Sequence, residues 1–303
     1  MDAISCYQLR KIYVSRGRRT EALRGIDLSV DAGRLFSFLG KNGAGKTTFV
    51  KIASTLLLPT SGQISVMGYD AVQEAGKARE LLAVVPQGVR PYWHLTPREH
   101  IYHYLRFRGA GRAEARDAAQ WMVEKMGMES FADTKAILLS GGQRQRTMVA
   151  AVLATMAPVL FLDEPTIGMD PVARRQVWTV IEEIRRKGST IFLTTHYLDE
   201  AERLSEQIAV INEGRVLYSG DVDGLKRMVG ADYRVVFRGE AALSLEQYGR
   251  VVRDGTRLLV LTDRKGAMDL AEEAARHGVE ISVGPVTLEE AFLQLAGGLD
   301  AED

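Results

Sequence analysis

The sequence predicts an α/β fold in which a largely parallel sheet is covered by helices, followed by a small α+β domain. The first observation is an alternation of apolar and helical segments, which is typical of parallel sheets. The predicted strands are Val159–Leu162, Ile191–Thr195 and Ile208–Ile211, and the predicted helices are Val172–Lys187 and Leu198–Leu204. The second is a glycine-rich segment directly after the apolar run Leu35–Leu39. The third is a buried-type strand that ends in two acids, Asp163 and Glu164.

The composition indicates an ordinary soluble protein with one large and one small domain. Of its 303 residues, 46% are apolar and 26% are charged. Lys plus Arg equals Asp plus Glu at 39 each, so no overall field attracts nucleic acid or anionic lipid, although a local patch could. The single cysteine, Cys6, excludes an internal disulfide framework, and the start of the chain lacks the apolar core of a signal peptide. We therefore expect a cytoplasmic protein.

The longest apolar stretch, Met148–Leu162, is too short to span a membrane, which needs about 20 residues. Pro158 interrupts it and two acids follow it directly. The stretch therefore predicts the end of a buried helix and then a buried strand.

At the N-terminal end, we expect two antiparallel strands between Ile4 and Val30. They are joined by an arginine-rich loop whose charges we expect to be solvated, with a contact to lipid head groups or a partner as the alternative. Its arginines are Arg16, Arg18 and Arg19. From Pro97 to Met126 the pattern is helical, with apolar positions among many charges, which predicts an inserted helical subdomain over roughly residues 88–157.

The domain prediction divides the chain into residues 1–229 and residues 230–303. The second domain is predicted to be α+β, and no internal repeat is present. Its predicted elements are the strands Tyr233–Phe237, Arg257–Thr262 and Glu280–Val283 and a helix over Gly266–His277. A last helix is indicated by Thr287 and Glu290, which have the capping-box spacing.

The glycine-rich segment has the residues of a phosphate-binding P-loop between a strand and a helix. Its glycines let backbone amides converge on phosphate oxygens, and the following helix start adds partial positive charge. Lys46 would reach the β- and γ-phosphates and Thr47 would ligate Mg²⁺, while Gly43 and Gly45 are expected to tolerate no side chain. The segment consists of Gly40, Lys41, Asn42, Gly43, Ala44, Gly45, Lys46 and Thr47, and Thr48 begins the predicted helix Thr48–Leu57.

Two further motifs identify the kind of P-loop protein. Leu139–Gln143 stands at the start of a helical run, and Val159–Glu164 is the apolar strand with the acidic pair. They resemble the signature and Walker B motifs of the ABC ATPase family, and the resemblance continues in order through Gln87, Asp170 and His196. It covers residues 4–220 strongly and implies the P-loop NTPase fold of the ABC cassette, with ATP and Mg²⁺ as cofactors.

The chemistry of phosphoryl transfer explains the acids and their neighbours. Asp163 is placed to hold Mg²⁺, and Glu164 points elsewhere and can polarise the attacking water. The resemblance implies that Gln87, as the Q-loop residue, contacts Mg²⁺ or water. It also implies that His196 is the switch histidine that reaches the γ-phosphate. Without the family, Gln87 would be interpreted as a polar loop residue, and a lone histidine at position 196 would usually be structural.

The signature segment predicts a second anion site, because Ser140 can cap the helix while two glycines expose amides. The resemblance implies that this segment of one subunit covers the γ-phosphate bound by the other, so the chain would act as a homodimer around ATP. The segment's site residues are Ser140, Gly141, Gly142 and Gln143, and Asp170 belongs to the D-loop that crosses the dimer seam.

Two aromatic residues are candidates for stacking on adenine. Tyr13 lies where the family places such a ring, a role suited to a flat polarisable side chain. Tyr7 is the competitor. Either tyrosine could instead pack in a strand.

The segments Thr195–Glu202 and Leu288–Leu293 resemble those of two-component drug-resistance exporters, whose cassette and permease are separate chains. We therefore expect an exporter ATPase on the cytoplasmic face of the cell membrane. The stretch Gly88–Trp93, where membrane subunits dock in the family, departs from its pattern.

The alternative is a soluble ABC ATPase that acts on nucleic acid, ribosomes or cluster assembly. Its markers, a coiled coil, a second cassette or a basic stripe, are missing from the sequence, so no nucleic-acid partner is expected. A P-loop kinase or GTPase would not explain the signature. The C-terminal domain could sense a ligand, steady the dimer or shield an edge.

Overall fold

The computed structural model describes residues 1–15, 17–237, 245–254 and 257–295. Its strands are β1 (Asp2–Ser15), β2 (Arg18–Asp31), β3 (Leu35–Leu39), β4 (Ser61–Val66), β5 (Tyr69–Asp70), β6 (Leu82–Val85), β7 (Val159–Asp163), β8 (Thr190–Thr195), β9 (Gln207–Asn212), β10 (Arg215–Gly220), β11 (Tyr233–Phe237), β12 (Arg250–Asp254), β13 (Arg257–Thr262) and β14 (Ile281–Pro285). Its helices are α1 (Lys46–Ala53), α2 (Ala75–Leu81), α3 (Pro97–Phe107), α4 (Arg112–Lys125), α5 (Gly141–Leu153), α6 (Pro171–Arg186), α7 (Leu198–Leu204), α8 (Val222–Arg227), α9 (Arg264–Arg276) and α10 (Leu288–Leu295).

A six-stranded sheet with the order β10-β9-β3-β8-β7-β6 forms the centre of the first compact unit, Met1–Ser219. The pairs β9/β3, β3/β8, β8/β7 and β7/β6 are parallel, which confirms the predicted parallel sheet. Strands β3, β7 and β8 are buried along their whole length, as their largely apolar sequences predict. Because they are parallel, their carboxyl ends meet at one edge of the sheet.

An aromatic cluster ties α1 to this sheet. Phe49 of α1 stacks on Phe192 of β8 at 5.3 Å between ring centroids, and Phe36 of β3 stacks on Phe192 at 5.1 Å. Phe38 and Phe161 complete the cluster at 5.7 and 5.6 Å from Phe192. Such pairs each contribute about 0.5–1.5 kcal/mol beyond the burial of their area. The helix that follows the glycine-rich segment therefore packs on β3 and β8 through this cluster.

The N-terminal antiparallel strands are confirmed, and they belong to a four-stranded sheet with the order β2-β1-β4-β5. Strands β4 and β5 and helix α2 were not predicted, because they are short and carry few buried apolar residues. Arg18 and Arg19 are exposed as expected, whereas Arg16 lies outside the described residues. Helix α1 ends at Ala53, so the predicted helix to Leu57 was too long.

The helical segment from Pro97 to Met126 consists of two helices rather than one. Helix α3 ends before Gly109, whose φ of 95° is left-handed, and α4 begins at Arg112. Their buried faces, which include Ile101 and Met122, pack with α5 into one core. The stretch Met148–Leu162 forms the buried end of α5 and then β7, as predicted. Within the described ranges, no helix has both the length and the hydropathy that a bilayer crossing requires.

The second compact unit, Gly220–Asp303, has a four-stranded sheet with the order β12-β13-β11-β14, whose pairs are antiparallel. The predicted elements of this region are present, and β12 was missed. Helix α8 contacts α10 and therefore belongs to the second unit. The division thus lies between residues 219 and 220, upstream of the predicted division at 229/230. At the start of α10, the Glu290 carboxylate accepts the Thr287 amide at 2.7 Å, which is one half of the predicted capping box.

Candidate active site

The glycine-rich segment forms a tight turn between β3 and α1. Gly43 and Gly45 have φ values of 83° and 115°, in the left-handed region that favours glycine. A Cβ at Gly45 would also lie 2.6 Å from the carbonyl oxygen of Ala22, whereas one at Gly43 would meet nothing within 4 Å. Gly43 is therefore required only for its backbone conformation. At Gly40 the requirement is one of space, because a Cβ there would lie 2.4 Å from the carbonyl oxygen of Ile211.

Lys46 is buried at the first turn of α1 and is held by the turn itself. Its Nζ donates to the carbonyl oxygens of Gly40 at 2.6 Å and Lys41 at 3.2 Å, and it lies 3.7 Å from Glu164 Oε1. Burial lowers the pKa of Lys46, and the carboxylates of Glu164 and Asp163 oppose that shift. A desolvated ammonium held mainly by neutral carbonyls would be stabilised strongly by an incoming phosphate.

The acidic pair separates at a left-handed residue, since Glu164 has a φ of 52°. Its amide donates to the carbonyl oxygen of Thr194 at 3.0 Å and to Thr194 Oγ1 at 3.1 Å, which holds this conformation. Asp163 faces β8, where its Oδ1 accepts the Thr194 hydroxyl, and its Oδ2 is buried without a hydrogen-bond partner. Glu164 faces the glycine-rich turn. The two carboxylates therefore point to different places, as predicted.

His196 lies directly after β8 and contacts Glu164. Its Nδ1 is 2.8 Å from Glu164 Oε2, while the other oxygen of that carboxylate faces Lys46. Glu164 and Lys46 are each only 5% exposed. The three side chains thus form a continuous row from the glycine-rich turn to the end of β8.

Gln87 follows β6 and reaches the glycine-rich turn, because Thr47 Oγ1 donates to Gln87 Oε1 at 3.3 Å. Together these residues border a cavity of about 440 Å³. The lining consists of Ala22, Asn42, Gly43, Gly45, Lys46, Thr47, Thr48, Gln87, Glu164, Ile167 and His196. Ala22 and Ile167 were not predicted. No motif marks Ala22, and Ile167 was visible only as an apolar residue in the loop after the acids.

The structure separates the two candidate tyrosines. The hydroxyl of Tyr13 is 3.4 Å from Oγ1 of Thr48, which lines the cavity, and its ring is 40% exposed. Tyr7 lies opposite Gln63 in the N-terminal sheet and borders a different cavity with Cys6. Only Tyr13 is therefore next to the predicted phosphate site.

The signature segment is capped as its sequence predicts. Ser140 Oγ accepts the Gln143 amide at 3.2 Å, and Gln143 Oε1 accepts the Ser140 amide at 2.9 Å. A Cβ on Gly142 would lie 2.6 Å from the carbonyl oxygen of Gly168, whereas one on Gly141 would meet nothing within 4 Å. Within the described part of the chain, no residue of this segment lines the 440 Å³ cavity.

Asp170 begins α6 as its N-cap. Its Oδ1 accepts the Ala173 amide at 2.9 Å, and this hydrogen bond lowers the pKa of Asp170. Its Oδ2 lies 4.0 Å from Arg146 Nη2 on the signature helix α5. The D-loop residue and the signature helix are therefore neighbours within one chain.

Comparisons with known proteins identify relatives over most of the chain. The family profile described as ABC transporter matches residues 23–167. The chain is 36% identical to the daunorubicin/doxorubicin resistance ATP-binding protein DrrA of Streptomyces peucetius, over 97% of this chain and 92% of that protein. It is 31% identical to the human phospholipid-transporting ATPase ABCA3, over 87% of this chain and 15% of that protein.

Solved structures give the same answer for the fold. The dimeric post-hydrolysis structure of the ATP-binding cassette MJ0796 with ADP and Pi matches with a TM-score of 0.67 and 26% identity, over 72% of this chain and 98% of that one. The fold class and the family resemblance predicted from the motifs are confirmed. With its motifs in the order of the family and a relative similar over nearly its full length, this chain belongs to the ABC transporter family, as an ATP-hydrolysing subunit.

Proposed function

We propose that two copies of this chain close around ATP and drive an exporter whose transport pathway lies in separate membrane subunits. The observation that carries the proposal is the row Lys46, Glu164 and His196 beside the glycine-rich turn, in which Lys46 and Glu164 are buried. A buried lysine and a buried glutamate at the edge of a cavity are costly unless they serve a ligand.

Nucleotide binding would use the turn and its edges. Lys46 would exchange the carbonyls of Gly40 and Lys41 for the β- and γ-phosphate oxygens, a stronger partner for an ammonium. Amides of residues 41–48 would donate to the same phosphates. Tyr13, exposed and next to Thr48, would stack on adenine.

Hydrolysis would be carried by Glu164 and His196. Water would attack the γ-phosphorus, the bond from that phosphorus to the bridging oxygen of ADP would break, and ADP and inorganic phosphate would leave. Of the two protons of the water, one would stay on the inorganic phosphate and the other would pass to Glu164. Glu164 Oε2 would orient the water and accept its hydrogen bond, while His196 would hold the carboxylate and contact the γ-phosphate. Lys46 would stabilise the charge that develops on the transferred group.

The residues present also fit Mg²⁺, which prefers oxygen ligands. Asp163 has a buried oxygen, Oδ2, without a partner, and the oxygens of Thr47 and Gln87 lie together at the cavity. These three residues would hold the ion, directly or through water. Bound there, Mg²⁺ would neutralise charge on the phosphate oxygens.

The composite site would form when the signature segment of one copy covers the cavity of the other. Helix α5 begins at Gly141, so the amides of its first turn point out of the helix start toward a potential anion. The dimer described for MJ0796 with ADP and Pi supports this arrangement.

Transport would depend on a membrane partner at the cytoplasmic face. DrrA is named for drug resistance and ABCA3 for phospholipid transport, which supports an export function. Next to the Q-loop, an apolar cavity of about 390 Å³ is lined by residues that include Tyr92, Trp93 and Ile137. Trp93 is 69% exposed there, and we propose that this face of the helical subdomain binds the permease.

Sedimentation velocity of the Glu164→Gln variant tests the composite site. With saturating ATP and Mg²⁺ we expect a dimer, because closure no longer leads to turnover, and with ADP a monomer. Adding Ser140→Arg should abolish the dimer while ATP binding is retained, since Ser140 lies outside the cavity of its own chain. A Glu164→Gln protein that stays monomeric with ATP and Mg²⁺ would contradict the proposal.

Purification from membranes tests the partner. The chain should co-purify with a multi-spanning protein, and the pair Tyr92→Ala and Trp93→Ala should abolish co-purification while the isolated chain still hydrolyses ATP. The matched control is Phe107→Ala, which removes an exposed aromatic that is absent from the lining of the apolar cavity. Equal retention of the membrane protein by both variants would contradict this surface.

A further inference from the structure

A buried carboxyl lies behind the candidate active site and has no assigned role. Glu200 is in the first turn of α7 and is 0% exposed. Its Oε1 accepts two hydrogen bonds, from Trp178 Nε1 at 2.7 Å and from Thr166 Oγ1 at 3.0 Å. Burial raises the pKa of Glu200, against the effect of these donors. Carboxyl groups are rarely buried so completely without a specific task.

The two donors come from elements that flank the hydrolytic residues. Thr166 is two residues after Glu164, in the loop that leaves β7, and Trp178 is in the middle of α6. Glu200 itself is four residues after His196 and lies in α7, the helix that follows His196. One oxygen atom therefore joins the segment after Glu164, helix α6 and the segment after His196.

A second set of contacts holds the same segment on α6. The guanidinium of Arg174 lies 4.1 Å from the ring centroid of Tyr197, and its Nη1 is 3.8 Å from Asp199 Oδ2. Arg174 is one turn before Trp178 on α6. Residues 197–200 thus contact α6 at two positions one turn apart, Arg174 and Trp178. The contact between Glu200 and Trp178 is the buried one.

His196 needs such an anchor. Its side chain is 36% exposed and lies in the short connection between β8 and α7, yet its Nδ1 must meet Glu164 Oε2 at hydrogen-bond distance. A loop side chain at the surface keeps one orientation only if its backbone is fixed on both sides. Strand β8 fixes the residue before His196, and the contacts of Glu200 fix the turn after it.

We propose that Glu200 is a positioning residue of the ATPase. By accepting hydrogen bonds from Thr166 and Trp178, it holds His196 at hydrogen-bond distance from Glu164. The inference rests on the role proposed above for His196. It differs from a purely structural role, which would stabilise α7 without passing through His196.

A double-mutant cycle on the full chain separates the two roles. The variants are Glu200→Ala, His196→Ala and both together, assayed for kcat, KM for ATP and thermal unfolding. We expect Glu200→Ala to lower kcat about tenfold or more with little change in KM, because small displacements of catalytic groups have effects of this size. In the His196→Ala background the same change should lower kcat no further.

Conservative variants keep the test informative if Glu200→Ala folds poorly. Glu200→Gln should recover most of the activity, because its amide oxygen can accept both hydrogen bonds. Trp178→Phe removes one donor and should lower kcat less than Glu200→Ala, and again only when His196 is present. The matched control is Glu290→Gln, which alters a carboxyl that is 4% exposed in the second unit and should leave kcat unchanged.

The outcomes are distinct. Losses that add fully in the double variant, or a folded Glu200→Ala protein with normal kcat, would overturn the inference. A His196→Ala protein with normal kcat would instead refute the function proposed for His196, whatever Glu200 does.

Discussion

Two cavities of this protein differ in their charged residues, and the larger of the two is the one without buried charges. It has a volume of about 650 Å³ and lies in the second unit, where its lining includes Asp263, Lys265 and Asp269. The cavity at the glycine-rich turn is only about 440 Å³. Asp263 caps α9 by accepting the Gly266 amide at 2.7 Å, so its carboxylate already has a structural task. In the smaller cavity, Lys46 and Glu164 are buried, 3.7 Å apart, and face the open space.

The difference shows that the environment of the charges, and not the volume, distinguishes a reaction site from a surface cleft. A buried charge has lost its solvation by water, so a ligand of opposite charge can stabilise it. A solvated charge has not lost this solvation. Substitution of one carboxylate and one lysine in each of the two cavities can test this directly.

The largest effect is expected for the acidic residues. Glu164→Gln should lower kcat about 10²–10³-fold, because it removes the carboxylate that orients water, while the affinity for ATP stays close to normal. Asp269→Asn, in the larger cavity, should leave kcat within about twofold, as surface changes usually do. Steady-state ATPase assays and equilibrium binding of a fluorescent nucleotide measure both. Equal losses in the two variants would show that burial of the charge is not decisive.

A smaller effect is expected for the lysines. Lys46→Ala should weaken ATP binding by about 1.5–3 kcal/mol, because a charge-assisted hydrogen bond to phosphate is lost. Lys265→Ala should leave the affinity unchanged. Isothermal titration calorimetry with a non-hydrolysable ATP analogue gives the affinities without turnover. If Lys46→Ala binds as tightly as the wild type, Lys46 does not hold the phosphates.

The sequence predicted the parts of the site that are local. Gly43, Lys46 and Thr47 are within one turn, and Asp163 and Glu164 lie at the end of one buried strand. Their spacing in the sequence therefore determines their arrangement in space. It also predicted α7 to the residue, because an apolar strand, a polar break and a short amphipathic run are local features.

Several features that depend on contacts between distant segments were not predicted, although the family resemblance did indicate Gln87 and His196. The crowding at Gly40 comes from Ile211, and the left-handed backbone of Glu164 is held by Thr194. The burial of Glu200 was also not predicted, because its partner Trp178 lies in a different helix, α6. Strand β10 was missed because it alternates between exposed and half-buried residues and lacks the continuous apolar run of its neighbours.

The smallest effect is expected for His100 in the helical subdomain, which further sharpens the comparison. His100 is buried like Lys46, but both of its ring nitrogens lack hydrogen-bond partners, and it lines neither of the two cavities compared above. Burial lowers its pKa from 6.5 to about 4, with a smaller contribution from His103. It therefore tests whether burying an ionisable group without a ligand affects only stability.

Because the pKa of His100 is depressed in the folded state, the unfolded chain binds more protons between the two pKa values, and stability falls as the pH drops through that window. By about pH 5.5 the wild type should have lost about 1.4 kcal/mol through this residue. His100→Phe cannot be protonated there and should lack this loss, which urea unfolding at neutral and acidic pH would measure. ATP turnover at neutral pH should be the same in both proteins. If both lose stability in parallel with pH, His100 is not a buried neutral imidazole; if turnover also falls, the helical subdomain is coupled to the site through it.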